Sequence, residues 1–264
     1  MKNKTTLVSI CLLVSVIVSF AQQKVAASDI MQDIRDGKKV SHKNATIVGT
    51  LDFTFLEEAI EKLPKTKKNS WFNWISNNSS NVINKNIETR ISFVNCTFKD
   101  NVLAYIPDED SGYTFTASFD EEVIFKDCTF ERKAMFKYSK FEKNTDFSES
   151  KFEEDSTFKY AKFDRDSNFS NTVFNEVSTF KYAHFKNHVS FSNSTFKDTA
   201  IFKYTKFLDG VSFKNTNFEE DLNIKYTNVR GDFNISGMKV AYDIDSKYTK
   251  INGKAFNKYL INED

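Results

Sequence analysis

The sequence predicts an all-β solenoid, because a large apolar residue recurs at short, fixed intervals across residues 119–218. Phenylalanine occupies this mark throughout, at spacings that alternate between six and five residues. A small side chain lies two residues before nearly every mark, as Cys128 does before Phe130. A helix repeats at 3.6 residues and a strand at 2.0, and neither period fits this pattern, whereas the stacked units of a solenoid do. Each unit therefore turns one large and one small residue towards a shared core.

A longer period of 22 residues gives the length of one coil. It is carried by FKYSKF at 136–141, FKYAKF at 158–163, FKYAHF at 180–185, FKYTKF at 202–207, IKYTNV at 224–229 and SKYTKI at 246–251. Burying one phenylalanine contributes about 1.5–3 kcal/mol, while ordering the backbone costs about 1–2 kcal/mol per residue. A single coil is therefore unstable alone, and we expect a stack of about eight. Outward residues such as Asn171 are expected to tolerate alanine.

The N-terminal part of the mature chain, residues 22–44, is predicted to cap the stack. Residues 28–37 have the pattern of a short helix, with Ser28 as its N-cap and Gly37 at its end. An open solenoid end exposes strand edges and core, both of which promote aggregation unless they are covered. The helix is expected to provide that cover.

The solenoid itself is expected over residues 45–262, beginning with an extended segment at 45–55. Two stretches lack the repeat and are expected to be insertions that form loops on one side of the stack, namely 56–90 and 107–118. The register of residues 99–118 does not follow from the pattern, because the spacing is broken there.

The first 21 residues have the features of a signal peptide. Lys2 and Lys4 form a short basic start, an apolar stretch follows at 7–20, and Ser19-Phe20-Ala21 fits the small-x-small pattern of a cleavage site. A membrane-spanning helix needs about 20 apolar residues, which is more than this stretch offers. We therefore expect export to the periplasm or the cell surface, with no transmembrane span in the mature chain.

The charge balance and the motifs argue against several functional classes. Lys and Arg number 37 and Asp and Glu 36, so no global field favours nucleic acid. The sequence has neither a Gly-rich phosphate loop nor a nucleophile elbow. His184 and His188 would share a face only on a helix, and the acidic run at 108–110 lacks the ligand spacing of a calcium site. We predict no catalytic residue, no metal and no cofactor.

The Phe-centred units, each with a small residue two positions earlier, resemble those of the pentapeptide-repeat family. The resemblance extends over roughly residues 93–251 and is to an exported bacterial member. It implies a right-handed quadrilateral parallel β-helix with four short faces per turn. Alternate links have six residues rather than five, as in FEKNTDF at 141–147. An extra residue is therefore expected at every other corner.

The hexapeptides place one lysine and one tyrosine at the same outward positions in every coil. Stacked strands lie about 4.8 Å apart, so these residues are expected to form two adjacent columns. The rings and lysine stems then either act as a structural coat or form a binding surface for an anionic glycan or a protein. The candidate residues are Lys137, Tyr138, Lys159, Tyr160, Lys181, Tyr182, Lys203, Tyr204, Lys225, Tyr226, Lys247 and Tyr248.

Trp71, Phe72 and Trp74 lie close together in a polar segment. Aromatic residues of this kind are favoured at contact surfaces, so Trp71 and Trp74 are further candidates for binding. Alternatively, the three side chains fold over the N-terminal coils as part of the structure.

Cys96 and Cys128 occupy similar segments, FVNCTF at 93–98 and FKDCTF at 125–130. Their separation of 32 residues equals one coil plus an insertion, so they are expected to stack in neighbouring coils. Export favours a disulfide, but parallel side chains in one column are poorly angled for it. A bonded pair and two buried thiols both remain open.

The leading hypothesis is an exported, non-catalytic scaffold that binds a glycan or a protein along its side, and an end-to-end homodimer is a further option. A polysaccharide lyase or hydrolase is the main alternative, by analogy with other β-helices, although it would need clustered carboxylates and a base in a groove. A more remote alternative is that of family members that mimic DNA and bind topoisomerase. That role requires an acidic, cytosolic protein, which this chain is not expected to be.

Overall fold

Short parallel strands stack into four flat faces around one core, and the parallel β-helix expected from the repeats is confirmed. The structure is a computed structural model that describes residues 22–63 and 81–257. In each regular coil the chain passes through faces 1, 2, 3 and 4 in turn, with most strands only two residues long. Faces 1 and 3 contain eight strands each, which agrees with the expected number of coils.

Each face collects one strand from each successive coil. Face 1 consists of Leu51–Asp52, Val102–Leu103, Ala134–Met135, Ser156–Thr157, Ser178–Thr179, Ala200–Ile201, Leu222–Asn223 and Ile244–Asp245. Face 2 consists of Val82–Ile87, Tyr113–Phe119, Lys140–Phe141, Lys162–Phe163, His184–Phe185, Lys206–Phe207, Asn228–Val229, Lys250–Ile251 and, antiparallel at its end, Lys254–Ala255. Face 3 consists of Val40–Lys43, Ile91–Val94, Val123–Lys126, Thr145–Asp146, Ser167–Asn168, Val189–Ser190, Val211–Ser212 and Phe233–Asn234. Face 4 consists of Gln23–Ala26, Ala45–Val48, Thr97–Phe98, Thr129–Phe130, Lys151–Phe152, Val173–Phe174, Thr195–Phe196, Asn217–Phe218 and Lys239–Val240.

The phenylalanines point inward and form columns of stacked rings. Phe158 and Phe180, one coil apart, lie with ring centroids 4.9 Å apart and planes 5° from parallel. Phe169 and Phe180, from different faces, meet edge to face at 5.4 Å and 87°. Both arrangements are favourable aromatic geometries. All three side chains are fully buried, so the core is an aromatic column that runs through the repeats.

The corners alternate between short and wide, as the spacing of five and six residues predicts. A short corner joins face 1 to face 2 and another joins face 3 to face 4, and both have a residue in the left-handed backbone region. The outward residue Asn171 is one of these, at φ 57°. The other two corners, from face 2 to face 3 and from face 4 to face 1 of the next coil, are wide. Each of them contains the extra residue of a six-residue link.

The small residues of the repeat fit beneath the rings, and many of them donate a hydrogen bond along the stack. The Thr172 hydroxyl donates to the Phe147 carbonyl of the preceding coil at 3.0 Å, and Ser194 donates to Phe169 at 2.6 Å. At the other short corner Thr205 donates to Phe180 at 2.8 Å. A larger side chain at these positions would displace the rings, so the small residue and the phenylalanine are required together.

The N-terminal cap is the helix α1, Ala27–Arg35, whose Ile30 and Ile34 are buried against the first coils. The expected N-cap, Ser28, is wrong: Ala26 holds that position without a side-chain hydrogen bond. The reason is that the helix follows directly from the strand Gln23–Ala26, which pairs with Ala45–Val48. Stacked strands therefore begin earlier in the chain than the repeat pattern indicates.

The interruptions contain regular structure of their own. The helix α2, Leu56–Glu61, opens the first of them, and the strand Val82–Ile87 near its end already belongs to face 2. In the second, Tyr105–Asp108 and Tyr113–Phe119 form an antiparallel hairpin on face 2. At the C-terminal end Lys254–Ala255 folds back on Lys250–Ile251. Within the described ranges, no helix has the length and apolar character needed to cross a membrane.

Candidate binding surface

The six tyrosines of the hexapeptides form one continuous stack at the short corner between faces 1 and 2. Successive ring centroids, from Tyr138 to Tyr248, lie 4.6–4.9 Å apart with nearly parallel planes. Tyr105, from the hairpin, adds a tilted ring at 6.0 Å from Tyr138. The predicted columns are therefore brought together as one surface. We call the six tyrosines and their preceding lysines (137–138, 159–160, 181–182, 203–204, 225–226 and 247–248) the Lys/Tyr ladder.

Every ladder tyrosine has a left-handed backbone, with φ between 59° and 65°. This conformation is a strong outlier for a bulky residue, costing about 1–3 kcal/mol. The diagonally opposite corner, between faces 3 and 4, needs the same conformation and uses Asp127, Glu149, Asn171, Asn193, Asn215 and Gly237. Most of these belong to residue types that tolerate positive φ. The fold therefore requires a left-handed residue at this corner but does not require tyrosine.

Each ladder lysine lies along the ring of the tyrosine that follows it. The ammonium-to-centroid distance is 5.0–6.0 Å in all six pairs, so each ammonium group lies close to the ring that follows it. Burial, and then the neighbouring Lys137 and Lys181, lower the pKa of Lys159. Among the described residues, Lys159, Lys181 and Lys203 have no ion pair with a carboxylate. The centre of the ladder is therefore an uncompensated row of positive charge.

A second basic column runs along face 2, beside the tyrosines. Its basic members are Lys140, Lys162, His184, Lys206 and Lys250, which occupy equivalent positions in the strands of face 2, and Asn228 takes the same position between Lys206 and Lys250. Sequence reasoning missed this column, although the fifth position of each hexapeptide carries it. Between the tyrosines and this column lies a groove of about 450 Å³, lined by Tyr138, Tyr160, Lys162, Tyr182, His184, Tyr204 and Lys206.

The stacking decides which part of a tyrosine a ligand can reach. Neighbouring rings cover both faces of the inner ladder tyrosines, so a ligand in the groove meets ring edges and hydroxyl groups. Ring edges carry partial positive charge, and a phenol hydroxyl donates a hydrogen bond. Together with the two basic columns, the groove therefore offers donors and positive charge, which suit an anionic ligand.

Cys96 and Cys128 lie side by side in neighbouring coils, because their strands pair Thr97 with Thr129 and Phe98 with Phe130. Both are free, buried thiols. The Cys128 thiol donates to the Phe93 carbonyl at 3.5 Å, in the same column where Thr172 and Ser194 donate. Burial raises the pKa of the Cys128 thiol. The pair thus occupies small-residue positions of the core, and whether the two thiols can be oxidised to a disulfide stays a prediction.

The sequence also offers two other groups of candidates. Trp71, Phe72 and Trp74 fall outside the described residues, so their role stays a prediction. The acidic run 108–110 forms the turn of the hairpin, where the Asp108 carboxylate accepts a hydrogen bond from the Ser111 amide at 3.0 Å. Residues 22–63 and 81–257 contain no group of His, Cys, Asp or Glu arranged to hold a metal ion.

Comparison with known protein families identifies the type of repeat. The family described as "Pentapeptide repeats (9 copies)" matches residues 116–162, 136–183, 158–205 and 180–228. The chain is a pentapeptide-repeat protein. The matched residues include the central part of the ladder and the groove. Pentapeptide-repeat proteins are in general scaffolds that often bind partners. No curated protein and no solved structure matches the chain.

Proposed function

We propose that this pentapeptide-repeat protein is an exported, non-catalytic scaffold that binds a glycan or protein partner along the Lys/Tyr ladder. Its side presents a lysine followed by a tyrosine at the same position in six successive coils, and weak contacts to such a repeated surface add through multivalency. The features of a signal peptide in residues 1–21 support export. An exported protein of this kind can be located in the periplasm or at the cell surface.

The observation that carries this proposal is the left-handed conformation of all six ladder tyrosines. Strained conformations persist where the surrounding structure holds them, and they concentrate at functional sites. Asparagine fills the same backbone role at the opposite corner in three successive coils, at 171, 193 and 215. Because a less strained residue is available to this fold, we infer that tyrosine is retained for what its ring and hydroxyl contact outside the chain.

Other functions have less support. A glycoside hydrolase needs a pair of carboxyl groups flanking the scissile bond, whereas the groove is lined by tyrosines, lysines and one histidine. A DNA mimic needs a surface of negative charge, and the repeats present a basic one along the groove. The ladder therefore favours binding over hydrolysis or DNA mimicry.

The test exchanges Tyr160, Tyr182 and Tyr204 for asparagine, the residue that the fold itself uses at the equivalent corner. We expect an unchanged circular dichroism spectrum, because asparagine adopts positive φ with less strain. Retention on an array of glycans and on immobilised envelope extract should fall by at least about tenfold, as expected when several contacts in one multivalent site are lost.

The matched control replaces Val173, Thr195 and Asn217, outward residues in three successive strands of face 4, with alanine. This variant should be retained like the wild type. If the folded asparagine variant is also retained like the wild type, the ladder is a structural coat and the proposal is wrong.

A further inference from the structure

The groove presents a tyrosine in each ladder coil and a basic side chain at five of the six positions of the face 2 column, and this repetition constrains what can bind there. A ligand that shifts by one coil meets the next tyrosine hydroxyl and the next basic side chain after 4.6–4.9 Å. Protein interfaces are usually anchored by a few side chains in distinct, well-packed pockets. This groove has no such unique pocket along the described coils, so it would not fix the register of a globular partner. A polymer with its own repeat does not need a fixed register, because it makes the same contacts after a shift of one coil.

The available contacts narrow the class of polymer further. Single-stranded nucleic acids bind proteins largely by stacking bases on aromatic faces, and the inner tyrosine faces are already covered by their neighbours. A neutral glycan would likewise find only ring edges. Ammonium groups, hydroxyl donors and positive ring edges instead favour a chain that carries carboxylate or sulfate groups.

The backbone amides that line the groove already donate hydrogen bonds within the solenoid, so an acidic peptide cannot pair with them as an added strand. Peptides commonly bind sheets by adding a strand to an open edge. In the groove, the amides of Lys162, His184 and Lys206 donate to the preceding coil at 2.9 Å, and the Tyr182 amide donates to the Lys203 carbonyl of the next coil at 3.0 Å. Strand pairing runs along the axis on this side, so a peptide would bind through its side chains alone. This favours a polysaccharide over a peptide.

We propose that the groove between the ladder tyrosines and the basic column of face 2 binds a linear acidic polysaccharide that runs along the solenoid axis. The inference rests on the proposed binding function and names its ligand class. Anionic groups of the chain pair with Lys162, His184 and Lys206 on one wall and accept hydrogen bonds from the tyrosine hydroxyls on the other.

His184 makes this binding depend on pH. It lies between Lys162 and Lys206 in its column, and Lys186 and Asp164 also face it. Burial, followed by Lys206, Lys186 and Lys162, lowers the pKa of His184 in the free protein, and Asp164 opposes this shift. A bound anion favours the protonated imidazole and raises its pKa, so binding takes up a proton. Affinity therefore rises as the pH falls through the pKa of His184 in the complex and towards its pKa in the free protein, which lies below the ordinary value of about 6.5 for histidine.

The experiment measures the dissociation constants of dextran sulfate, polygalacturonate and uncharged dextran of equal length at about 0.15 M salt. We expect binding of at least one acidic polymer and none of dextran. Sulfate esters stay ionised throughout, so any pH dependence with dextran sulfate belongs to the protein. Between pH 7.5 and 5.5 its affinity should rise about three- to tenfold, the size expected for a shift of up to one pKa unit at a single site.

Three variants separate the groove from diffuse charge attraction. The double variant Lys162→Asn with Lys206→Asn should weaken binding at least about tenfold. Lys151→Asn with Lys239→Asn removes the same charge from face 4 and should leave the affinity within about twofold. His184→Asn, which places in this column the residue found at Asn228, should abolish the pH dependence, so that the affinities of this variant at pH 5.5 and pH 7.5 are equal.

Several results would overturn the inference. Equal losses in the two lysine pairs would show attraction to net charge alone, and equal binding of dextran would show that the anionic groups are not recognised. Polyglutamate that binds as tightly, with the same dependence on His184, would assign the groove to acidic proteins. If neither acidic polymer binds while the tyrosine triple variant still loses its partner on the array or extract, the ligand class is wrong and the proposed binding function stands.

Discussion

At the scale of single residues, burial of phenylalanine holds this protein together. Phe169 illustrates the environment: it is fully buried, and its ring stacks on Phe147 at 5.2 Å and on Phe191 at 5.1 Å. Three further rings, Phe158, Phe163 and Phe180, meet it edge to face. A cavity at this position is therefore enclosed by rigid rings that cannot collapse into it without leaving their own stacks.

We expect Phe169→Ala to lower the free energy of unfolding by about 3–5 kcal/mol, as for other fully buried aromatic residues. Denaturant melts followed by circular dichroism measure this difference. Arg165→Ala, at an exposed position of the same coil, serves as the control and should change the stability by less than about 0.5 kcal/mol. Similar losses in the two variants would contradict the inward assignment of the phenylalanines.

Sequence reasoning placed the large and small residues correctly, because spacing alone determines which side chains face the axis. It could not reveal the backbone of the outward residues. The pattern treats Asn171 as freely replaceable, yet its φ of 57° makes an alanine there strained by about 1–2 kcal/mol. The same holds for the ladder tyrosines, because nothing in the spacing distinguishes a left-handed tyrosine from an extended one.

At the scale of elements, the short corners combine backbone conformation and hydroxyl bonding. Ser150, at the corner between faces 3 and 4, donates to the Phe125 carbonyl at 2.6 Å and accepts from the Cys128 amide at 2.9 Å. Ser139, at the corner between faces 1 and 2, is equally buried, but its hydroxyl has no partner among the described residues. Two serines that look alike in the repeat thus have different energetic roles.

This contrast predicts opposite effects of the same substitution. Ser150→Ala should lower the free energy of unfolding by about 1–3 kcal/mol, because it leaves the buried Cys128 amide without its acceptor. Ser139→Ala should leave stability equal or higher, since it removes a buried hydroxyl that makes no bond, and Ala161 and Ala183 already occupy that column. Thermal and denaturant melts of the two variants decide the matter. A loss of stability for Ser139→Ala equal to that of Ser150→Ala would mean that the two hydroxyls are used alike.

The candidate surface was predicted in part at this scale. The 22-residue period placed Lys159 and Tyr160 in stacked columns, since register fixes which residues lie above one another. It did not show that ring faces are covered by stacking, and it did not bring His184 and Lys206 beside the tyrosines. Those facts depend on the turn at the corner, which the period does not specify.

At the scale of the whole molecule, the protein is a stack of interchangeable coils between two different ends. The helix α1 covers the core at the N-terminal end, and Phe256 packs edge to face on Phe233 near the other, at 5.7 Å. Each interior coil contacts the coils before and after it through the same strand register. Stability in such a solenoid is approximately the sum of the coils and their interfaces.

Deleting residues 158–179 should therefore leave a folded protein. This removes one whole coil, so Thr157 is followed by Phe180 in place of Phe158 and the register of all four faces is kept. We expect a cooperative thermal melt a few degrees below that of the wild type and an unchanged circular dichroism spectrum. Deleting 158–178 instead shifts the register by one residue and turns later phenylalanines outward, so it should prevent folding. Equal behaviour of the two deletions would contradict the coil boundaries.

The repetition of the short corner also has a consequence for how this protein can change over generations. An in-frame duplication of one coil in the gene adds one tyrosine, one ladder lysine and one residue of the face 2 column. It alters neither the helix α1 nor the antiparallel pair of Lys250–Ile251 with Lys254–Ala255. The length of the binding surface is then set by the number of coils encoded in the gene, and this number changes independently of the residues that each coil contributes. Selection can therefore lengthen or shorten the Lys/Tyr ladder while every residue that contacts the ligand stays the same.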